Sequence, residues 1–415
     1  MTRQRRKKVV MSLLIIANVH VAVGLSVLNQ KIVSSHNMGW PVPDIPERKM
    51  LPEPVYRRWI ILLISMLTVG TLFILSVWNS ATYWDIFIYG VLPMLFLWLC
   101  LFGIALNKYE QSVAACISWE SERQQVKQLW QHWSQKQLAI VGNVLFTPEE
   151  KGMSVLLGPQ EEIPAYPKKA RPLFSASRYS LSSIFHDIHQ QLTQQFPDYR
   201  HYLHTIYVLQ PEKWRGETVR QAIFHQWDLV PERTNTLNQI QSLYDERFDG
   251  LILVVCLQNW PENKPEDTSE LVSAQLISSS SFVRQHQIPV IAGLGRVMPL
   301  EPEELEHNLD VLFEYNQLDN KQLQHVWVSG LDEGTIENLM QYAEQHQWSL
   351  PKKRPLHMID HSFGPTGEFI FPVSLAMLSE AAKETEQNHL IIYQSAQYAQ
   401  KKSLCLITRK LYLRT

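Results

Sequence analysis

The residues best suited to chemistry lie in the stretch Ile359–Ala382, where a histidine precedes a glycine-rich turn. Gly364 and Gly367 predict a turn that leads directly into an apolar helix. Backbone amides at residues 366–368 would then form a nest for an anion, with the side chain of His361 beside it. The predicted ligand or interface site comprises four residues: His361, Gly364, Thr366 and Gly367. The alternative is a glycine turn that only packs closely against a sheet.

Two pairs of histidines have a spacing that suits a metal ion. His186 and His189 lie three residues apart, and His201 and His204 repeat this spacing, so two helical faces could each present a pair. The H-E-x-x-H motif of zinc enzymes does not occur in the sequence. We therefore interpret these residues as ordinary surface histidines and predict neither a metal site nor a cofactor.

The four cysteines do not predict a reactive thiol. Cys256 lies in a continuous apolar run without an adjacent basic group, where a thiolate would be disfavoured. Cys100, Cys116 and Cys405 also lie in apolar runs and lack metal-ligand spacing. This pattern indicates buried thiols in a reducing compartment. The sequence also lacks a P-loop, a complete dinucleotide fingerprint and a G-x-S-x-G elbow, so we predict that the protein is not an enzyme.

Two long apolar segments, residues 59–78 and 86–106, predict a membrane hairpin. Each has about the ~20 residues that a helix needs to cross a bilayer, and neither contains a charged residue. Arg57, Arg58 and Lys108 flank the pair on the side from which both chain ends leave. Because cytoplasmic flanks are rich in lysine and arginine, this side is predicted to be cytoplasmic.

A third apolar run, residues 9–28, follows a basic N-terminal tail and predicts a signal anchor, with a cleaved signal peptide as the alternative. Three spans that start from a cytoplasmic tail would leave the following domain outside, whereas the basic flanks of the hairpin place it inside. We adopt the cytoplasmic placement. Residues 1–108 are therefore predicted to be a membrane region with two or three helices, the second span of the hairpin being kinked at Pro93.

Residues 109–415 have the composition of a globular protein, and a net charge of −2 for the chain makes nucleic acid an unlikely partner class. Short apolar runs predict strands at 112–119, 138–146, 205–209, 251–257, 289–294, 325–329, 390–393 and 403–408. Amphipathic segments predict helices at 120–137, 180–195, 216–227, 270–285, 303–315 and 335–345. This alternation predicts a layered α/β domain, either a sandwich or a doubly wound sheet, with two halves that meet near residues 235–250.

The end of the chain resembles the second half of a thiolase or ketoacyl synthase. The resemblance rests on VWVSGLDEGT, followed by a G-x-x-G turn, a buried helix and two strands. It implies a thiolase-like fold, and it implies for His361 the role of a family histidine that precedes a similar glycine turn and assists decarboxylation or condensation. The family's nucleophilic cysteine has no counterpart, because neither Cys116 nor Cys256 begins a helix after a strand. The resemblance therefore implies a degenerate enzyme.

Membrane segments followed by such a domain resemble the lipase adaptor proteins of bacterial type VI secretion, over residues 110–415. This resemblance implies a non-catalytic adaptor at the bacterial inner membrane, with a phospholipase effector and a secretion spike protein as its partners. Two alternatives remain open. One is a membrane-bound acyl-transfer enzyme that uses His361, and the other is a small-ligand sensor in which the glycine turn binds an anion.

Overall fold

The computed structural model describes residues 40–43, 45–77, 82–166, 168–174, 180–211, 217–233, 242–246, 248–260, 266–300, 304–367, 369–394 and 402–412. These residues divide into two compact units. The smaller unit is Pro43–Leu129, and the larger one is Trp130–Thr415 together with the residues up to Val42. The apolar run 9–28 lies outside the described residues, and so does the first part of the boundary expected near 235–250.

The smaller unit contains two helices that are long and apolar enough to cross a membrane. These are α1 (Tyr56–Val77) and α2 (Tyr83–Ser134). Within α2 the residues Ile86–Val91 form a π-helical turn immediately before Pro93. A proline inside a helix removes one hydrogen bond and its ring crowds the preceding turn, and a wider turn relieves that crowding.

The two apolar helices approach each other most closely at a pair of glycines. A Cβ atom added to Gly70 would lie 2.7 Å from the carbonyl oxygen of Gly90, and one added to Gly90 would lie 3.0 Å from that of Gly70. Small residues at a helix crossing let the two backbones make van der Waals contact, which is the main attraction between apolar helices. The indole Nε1 of Trp98 also donates to the carbonyl oxygen of Trp59 at 2.9 Å.

Residues 112–119, which we expected to form a buried strand, are part of α2, and so are most of the residues of the helix expected at 120–137. A short apolar run cannot be distinguished from a helical segment by its periodicity. A helix that has already started in the apolar segment extends by one hydrogen bond for each residue added. The extended residues 45–55 run antiparallel along this part of α2, where Ser112 Oγ accepts the Leu51 amide at 3.0 Å.

The larger unit is built on one mixed sheet of eleven strands. In chain order these are β1 (Leu138–Phe146), β2 (Leu203–Leu209), β3 (Glu232–Arg233), β4 (Leu251–Gln258), β5 (Leu271–Ser279), β6 (Ala292–Leu294), β7 (Met298–Leu300), β8 (Leu323–Ser329), β9 (Leu356–Met358), β10 (Asn388–Gln394) and β11 (Lys402–Thr408). Across the sheet the order is β3-β2-β4-β5-β1-β6-β11-β10-β8-β9, and β7 pairs with β11.

The two ends of this sheet repeat one arrangement. Strand β2 pairs in parallel with β3 and β4, and β4 pairs antiparallel with β5. In the same way β8 pairs in parallel with β9 and β10, and β10 pairs antiparallel with β11. Strands β1 and β6 join the two groups in the middle. The two groups of strands therefore share a topology, although the sequence contains no tandem repeat of fixed period.

Nine helices in the described part of this unit cover the sheet. They are α3 (Ser154–Leu157), α4 (Leu181–Gln195), α5 (Tyr199–Tyr202), α6 (Glu217–Trp227), α7 (Ser280–His286), α8 (Leu305–Asn316), α9 (Glu333–Gln345), α10 (Ile359–Phe363) and α11 (Ile370–Thr385). Successive side chains of a strand point to opposite faces. Thus Leu253 of β4 packs in the core with α4 and α6, and Val326 of β8 packs with α8 and α9.

Helix α11 occupies the other face of the sheet. It is buried along almost its whole length and contacts β1 and β5 as well as β10 and β11. A helix that is apolar on every side is typical of the core of a large protein or of a membrane span, and α11 is of the first kind. The core around α11 includes Cys256 of β4 and Trp327 of β8. The residues next to them in these strands point to the opposite face of the sheet, toward the outer helices. The layered α/β architecture expected from the sequence is confirmed.

Residues 270–285, which we expected to be one helix, form β5 and then α7. Strand β5 is paired on both sides, with β4 and with β1, and all nine of its residues are buried. Hydrogen bonding to strands on both edges therefore stabilised a strand here in place of the helix that we expected from the sequence. Ser279 begins α7 by accepting the amide of Phe282 at 3.2 Å, which is a standard N-cap.

Candidate functional site

The glycine turn predicted from the sequence lies between α10 and α11, near the last residues of β4 and β8. Gly364 has a φ of +86°, which favours glycine, and a Cβ atom there would collide with the carbonyl oxygen of Lys169. Gly367 does not have a positive φ, but a Cβ atom there would lie 2.6 Å from Oε1 of Gln258. Both glycines are thus required by close packing against other parts of the chain.

Ser269, just before β5, holds the turn in place from the other half of the sheet. Its amide donates to the carbonyl oxygen of Pro365 at 2.8 Å, and its hydroxyl donates to that of Phe363 at 2.7 Å. The same hydroxyl accepts the amide of Arg171 at 3.0 Å. Gln258, at the end of β4, donates to the carbonyl oxygen of Ser269 at 2.7 Å. The turn is therefore bonded directly to Ser269, and through Ser269 it is connected to the segments of Arg171 and Gln258.

A carboxylate of the chain itself, that of Asp360, is bonded to the turn. Asp360 Oδ1 accepts the hydroxyl of Thr366 at 2.5 Å and the hydroxyl of Ser329 at 2.9 Å. Its Oδ2 accepts the amide of Gly330 at 2.6 Å. Charge-assisted bonds of this kind are among the strong ones. The hydroxyl of Thr366 thus donates a hydrogen bond to Asp360, and the anion nest that we predicted at its backbone amide stays a prediction.

His361 is exposed, and its side chain makes no hydrogen bond with any described residue. Its backbone carbonyl accepts the amide of Tyr166 at 2.7 Å, so the loop between α3 and α4 lies next to the turn. The structure thus brings His361, Gly364, Thr366 and Gly367 into one short segment. Among the described residues, the thiols of Cys256 and Cys405 lie in strands β4 and β11 and not in this segment.

Two of the four thiols are buried as the sequence predicted, whereas Cys100 is exposed and Cys116 is only partly buried, because both lie on α2 and not in buried strands. Cys256 in β4 and Cys405 in β11 are buried to 1% and 0% exposure, and burial raises the pKa of both thiols well above the usual range. A thiol that stays protonated is a poor nucleophile. Cys116 in α2 donates to the carbonyl oxygen of Arg48 at 3.5 Å. None of Cys116, Cys256 and Cys405 is the first residue of a helix in the larger unit.

The two predicted pairs of histidines are used differently. On α4, His189 Nδ1 shares a hydrogen bond of 2.6 Å with the hydroxyl of Tyr199, and burial lowers the pKa of His189. His201 ends up in α5 and His204 in β2, so they do not share a helix face. Among the residues that the structure describes, no cluster of three potential ligands could hold a metal ion.

The structure contains a cluster of three histidines that we did not predict from the sequence. His325 in β8, His357 in β9 and His389 in β10 lie on one face of three neighbouring strands, around the indole of Trp327. His325 Nδ1 is 3.2 Å from His357 Nε2, and the ring of His325 stacks on that of His389 with centroids 4.7 Å apart. A period-two pattern within HVWVS could have indicated the shared face, but only strand pairing brings the other two rings to it.

The hydrogen bonds of this cluster determine the protonation of His389. The indole Nε1 of Trp327 donates to His389 Nδ1 at 2.9 Å, so this nitrogen carries no proton. The other nitrogen, Nε2, lies 2.8 Å from the hydroxyl of Thr385, which itself donates to the carbonyl oxygen of Ala381 at 2.8 Å. His389 is therefore neutral, with its proton on Nε2. A second proton on His389 would have to be on Nδ1, which already accepts the indole N–H of Trp327.

Burial keeps the whole cluster neutral. It lowers the pKa of His357 to about 3, with Arg354 as the next cause, and it lowers the pKa of His389 well below the ordinary value. The pKa of His325 is also lowered by burial. His357 Nδ1 is buried without a hydrogen-bond partner. Because both nitrogens of His389 are already bonded within the cluster, the arrangement suits packing better than catalysis.

Comparison of the sequence with family models gives no match, and comparison with curated proteins gives no significant match. Solved structures do show likenesses. A type II polyketide synthase acyl-carrier protein in complex with its ketosynthase bound to the hexaketide has a TM-score of 0.49 and 10% identity, over 66% of this chain and 100% of that chain. The 3-oxoacyl-[acyl-carrier-protein] synthase III of Aquifex aeolicus has a TM-score of 0.43 and 13% identity, over 65% and 99%.

Ketosynthase twelve from the bacillaene polyketide synthase of Bacillus amyloliquefaciens has a TM-score of 0.45 and 10% identity, over 67% of this chain and 74% of that chain. These neighbours are of the ketosynthase kind that the resemblance in the sequence names.

Proposed function

We propose that this protein is a membrane-anchored adaptor without catalytic activity, whose larger unit binds a protein partner in the cytoplasm. The specific partners we propose are a phospholipase effector and the spike protein of a type VI secretion machine. Under this proposal the chain holds the effector at the inner membrane and transfers it to the spike. The anchor is the helical hairpin α1 and α2.

The exposed apolar surface of the hairpin supports the anchoring. Leu72 and Phe73 of α1 are 64% and 62% exposed, and only about a tenth of the most apolar stretch of each helix is buried. A water-soluble protein rarely exposes a contiguous apolar surface of this extent. In a bilayer the same side chains would contact lipid, and the helical backbone would satisfy its own hydrogen bonds.

The chemical state of the candidate site carries the non-catalytic part of the proposal. The hydroxyl of Thr366 is bonded to Asp360, and both glycines of the turn are packed against the chain. Cys256 is buried in β4, and burial raises the pKa of its thiol. An acyl-transfer enzyme needs an activated nucleophile beside its acid or base. No described residue near His361 meets this requirement.

The adaptor function is tested by reconstitution with defined partners. The full chain in non-ionic detergent is mixed with the phospholipase and the spike protein encoded in its genomic neighbourhood, and complexes are separated by size. We expect a complex with the phospholipase that also forms with His361→Ala, because that exposed side chain has no role in holding the turn. Absence of any complex with either protein would contradict the proposed partners.

The enzymatic alternative is tested with a thiol-reactive acyl probe. We expect the native protein to leave Cys256 unlabelled, while urea-unfolded protein reacts, because the thiol is 1% exposed and stays protonated. Stoichiometric labelling of Cys256 or Cys116 in the native state would overturn the adaptor proposal in favour of acyl transfer. For the topology, alkaline phosphatase fused after Thr415 should be inactive, because this reporter works only outside the cytoplasm.

A further inference from the structure

We propose that the end of the hairpin from which both chain termini leave binds anionic phospholipid headgroups through Arg57, Arg58 and Lys108. This collar of three cations would select anionic lipids from the surrounding bilayer. The inference rests on the membrane anchoring proposed above and adds a ligand class to it. It does not depend on the identity of the protein partner.

Contacts between the helices place the three cations of the collar at the same end of the hairpin. The rings of Tyr56 and Trp59 in the first turn of α1 lie 6.3 Å and 5.4 Å from that of Phe102 in α2, between ring centroids. Arg57 and Arg58 are therefore level with the end of the apolar part of α2. Lys108 follows Phe102 by six residues, which is about 9 Å along a helix axis. All three cations thus border the same end of the apolar surface.

The charge of the hairpin is strongly asymmetric. Between Arg58 and Lys108 the sequence contains a single charged residue, Asp85, at the opposite end. The Asp85 carboxylate accepts the amide of Thr82 at 3.1 Å and so caps the start of α2. Positive charge therefore faces one membrane surface only. This is the arrangement that attracts the anionic lipids of one leaflet.

The three cations have no ion-pair partner among the described residues. Their side chains are exposed, and the ion pairs of the smaller unit join Arg123 to Glu47 and Glu120 instead. The nearest acidic residue on the preceding segment, Glu53, accepts the hydroxyl of Tyr109 at 3.2 Å. The cations are thus available to an external anion.

The start of α1 adds a second attraction for an anion. Its first turn contains no acidic residue. The amide groups at a helix N-terminus carry a partial positive charge that favours a phosphate or carboxylate. Arg57 and Arg58 extend from this same turn, and the planar guanidinium group binds phosphate oxygens in a fork. Trp59 lies at the level where indole rings prefer the headgroup zone.

The test measures lipid selectivity of the full chain in bilayers. Spin-labelled phosphatidylglycerol and phosphatidylcholine are compared by the fraction of each that the protein immobilises. Each basic side chain near a membrane surface contributes roughly a fivefold preference for anionic lipid. We expect the parent to prefer phosphatidylglycerol by about tenfold or more at low salt, and R57Q/R58Q/K108Q to show a ratio near one. The charge-retaining variant R57K/R58K should keep most of the preference.

A matched control removes three charges elsewhere. K321Q/K352Q/K353Q changes three exposed lysines of the larger unit and should keep the preference of the parent. If this control loses as much preference for phosphatidylglycerol as R57Q/R58Q/K108Q does, the preference depends on the total charge, and the proposed collar is wrong. Excess glycerol phosphate should not change the ratio. If it abolishes the preference, the ligand is a soluble phosphate and the lipid assignment is wrong.

Failure of the anchoring can be told apart from failure of the collar. A parent chain that alkaline carbonate removes from membranes would overturn the anchoring and this inference together. A carbonate-resistant parent with a ratio near one would overturn the collar alone. The triple variant should remain carbonate-resistant, because its apolar helices are unchanged.

Discussion

Replacing His357 by phenylalanine should remove a large part of the acid sensitivity of the larger unit. The ring of His357 stacks on that of Trp327 with centroids 4.2 Å apart and an interplanar angle of 18°. A phenyl ring preserves this stacking and cannot be protonated. It does remove the partner of His325 Nδ1, so we expect the variant to lose about 1–3 kcal/mol of stability at about pH 8, the cost of an unpaired polar atom.

The magnitude of the pH effect follows from the pKa of His357. Its pKa is about 3 in the folded protein and 6.5 in an ordinary environment, so the folded state binds fewer protons than the unfolded state between these values. Stability is complete above about pH 6.5 and falls as the pH falls below it. Between about pH 8 and pH 5 the loss due to His357 is about 2 kcal/mol. This loss is nearly unchanged if the folded pKa is one unit higher, because the imidazole is neutral at pH 5 in either case.

The parent alone does not reveal this loss, because Glu380 acts in the opposite direction. Burial, followed by the charge of Glu384, raises the pKa of Glu380 to about 7. Its contribution to stability is present below the unfolded pKa of 4.5 and is lost as the pH rises through 7, so acidification stabilises the fold through this group. The informative quantity is therefore the difference between the parent and His357→Phe.

Urea unfolding of the full chain in non-ionic detergent measures this difference, read by hydrogen exchange of the peptides that contain β8 and β10. The free energy of unfolding of the parent should fall by about 2 kcal/mol more than that of His357→Phe between the two pH values. His361→Phe, which changes an exposed histidine, should follow the parent. If His357→Phe loses as much stability on acidification as the parent does, the buried cluster is not held neutral as argued.

Replacing Glu380 by glutamine should raise the free energy of unfolding by about 1–3 kcal/mol at about pH 8, with almost no gain at about pH 4, as urea titrations would show. Gly367→Val should lower it by about 1–3 kcal/mol, because its side chain meets a buried amide, whereas His361→Ala should change it by less than about 0.5 kcal/mol; thermal melts compare the two. Gly70→Leu should separate α1 from α2 at Gly90, which faster hydrogen exchange of the π-helical turn in micelles would reveal. A Gly367→Val protein that melts like the parent would refute the close contact of the turn.

The apolar segments and the buried strands could be predicted because their signal is local. Residues 59–78 and 86–106 are uncharged over the length of a membrane span, and the run Leu251–Leu257 is apolar throughout, so their surroundings hardly affect the outcome. The same local signal failed at residues 112–119. There, a helix already begun in the apolar segment continued through an apolar run that by itself was compatible with a strand.

The glycine turn was predictable in position but not in its contacts. Gly364 and Gly367 mark a chain reversal before an apolar helix, which composition alone indicates. Which of them needs a positive φ and which needs close approach depends on Lys169 and Gln258, far away in sequence. The role of Asp360 as the internal anion was also invisible, because Ser329 and Thr366 reach it only after the strands have paired.

The sequence by itself thus determined that two apolar helices precede a layered α/β unit, that Cys256 and Cys405 are buried, and that a glycine turn precedes a buried helix. Only the tertiary structure decided that β5 is a strand, because its pairing partners β1 and β4 come from distant parts of the chain. It alone assembled His325, His357 and His389 into one buried cluster. The physical reason is that periodicity and composition report on neighbours along the chain, whereas burial, pKa and hydrogen bonding are set by neighbours in space.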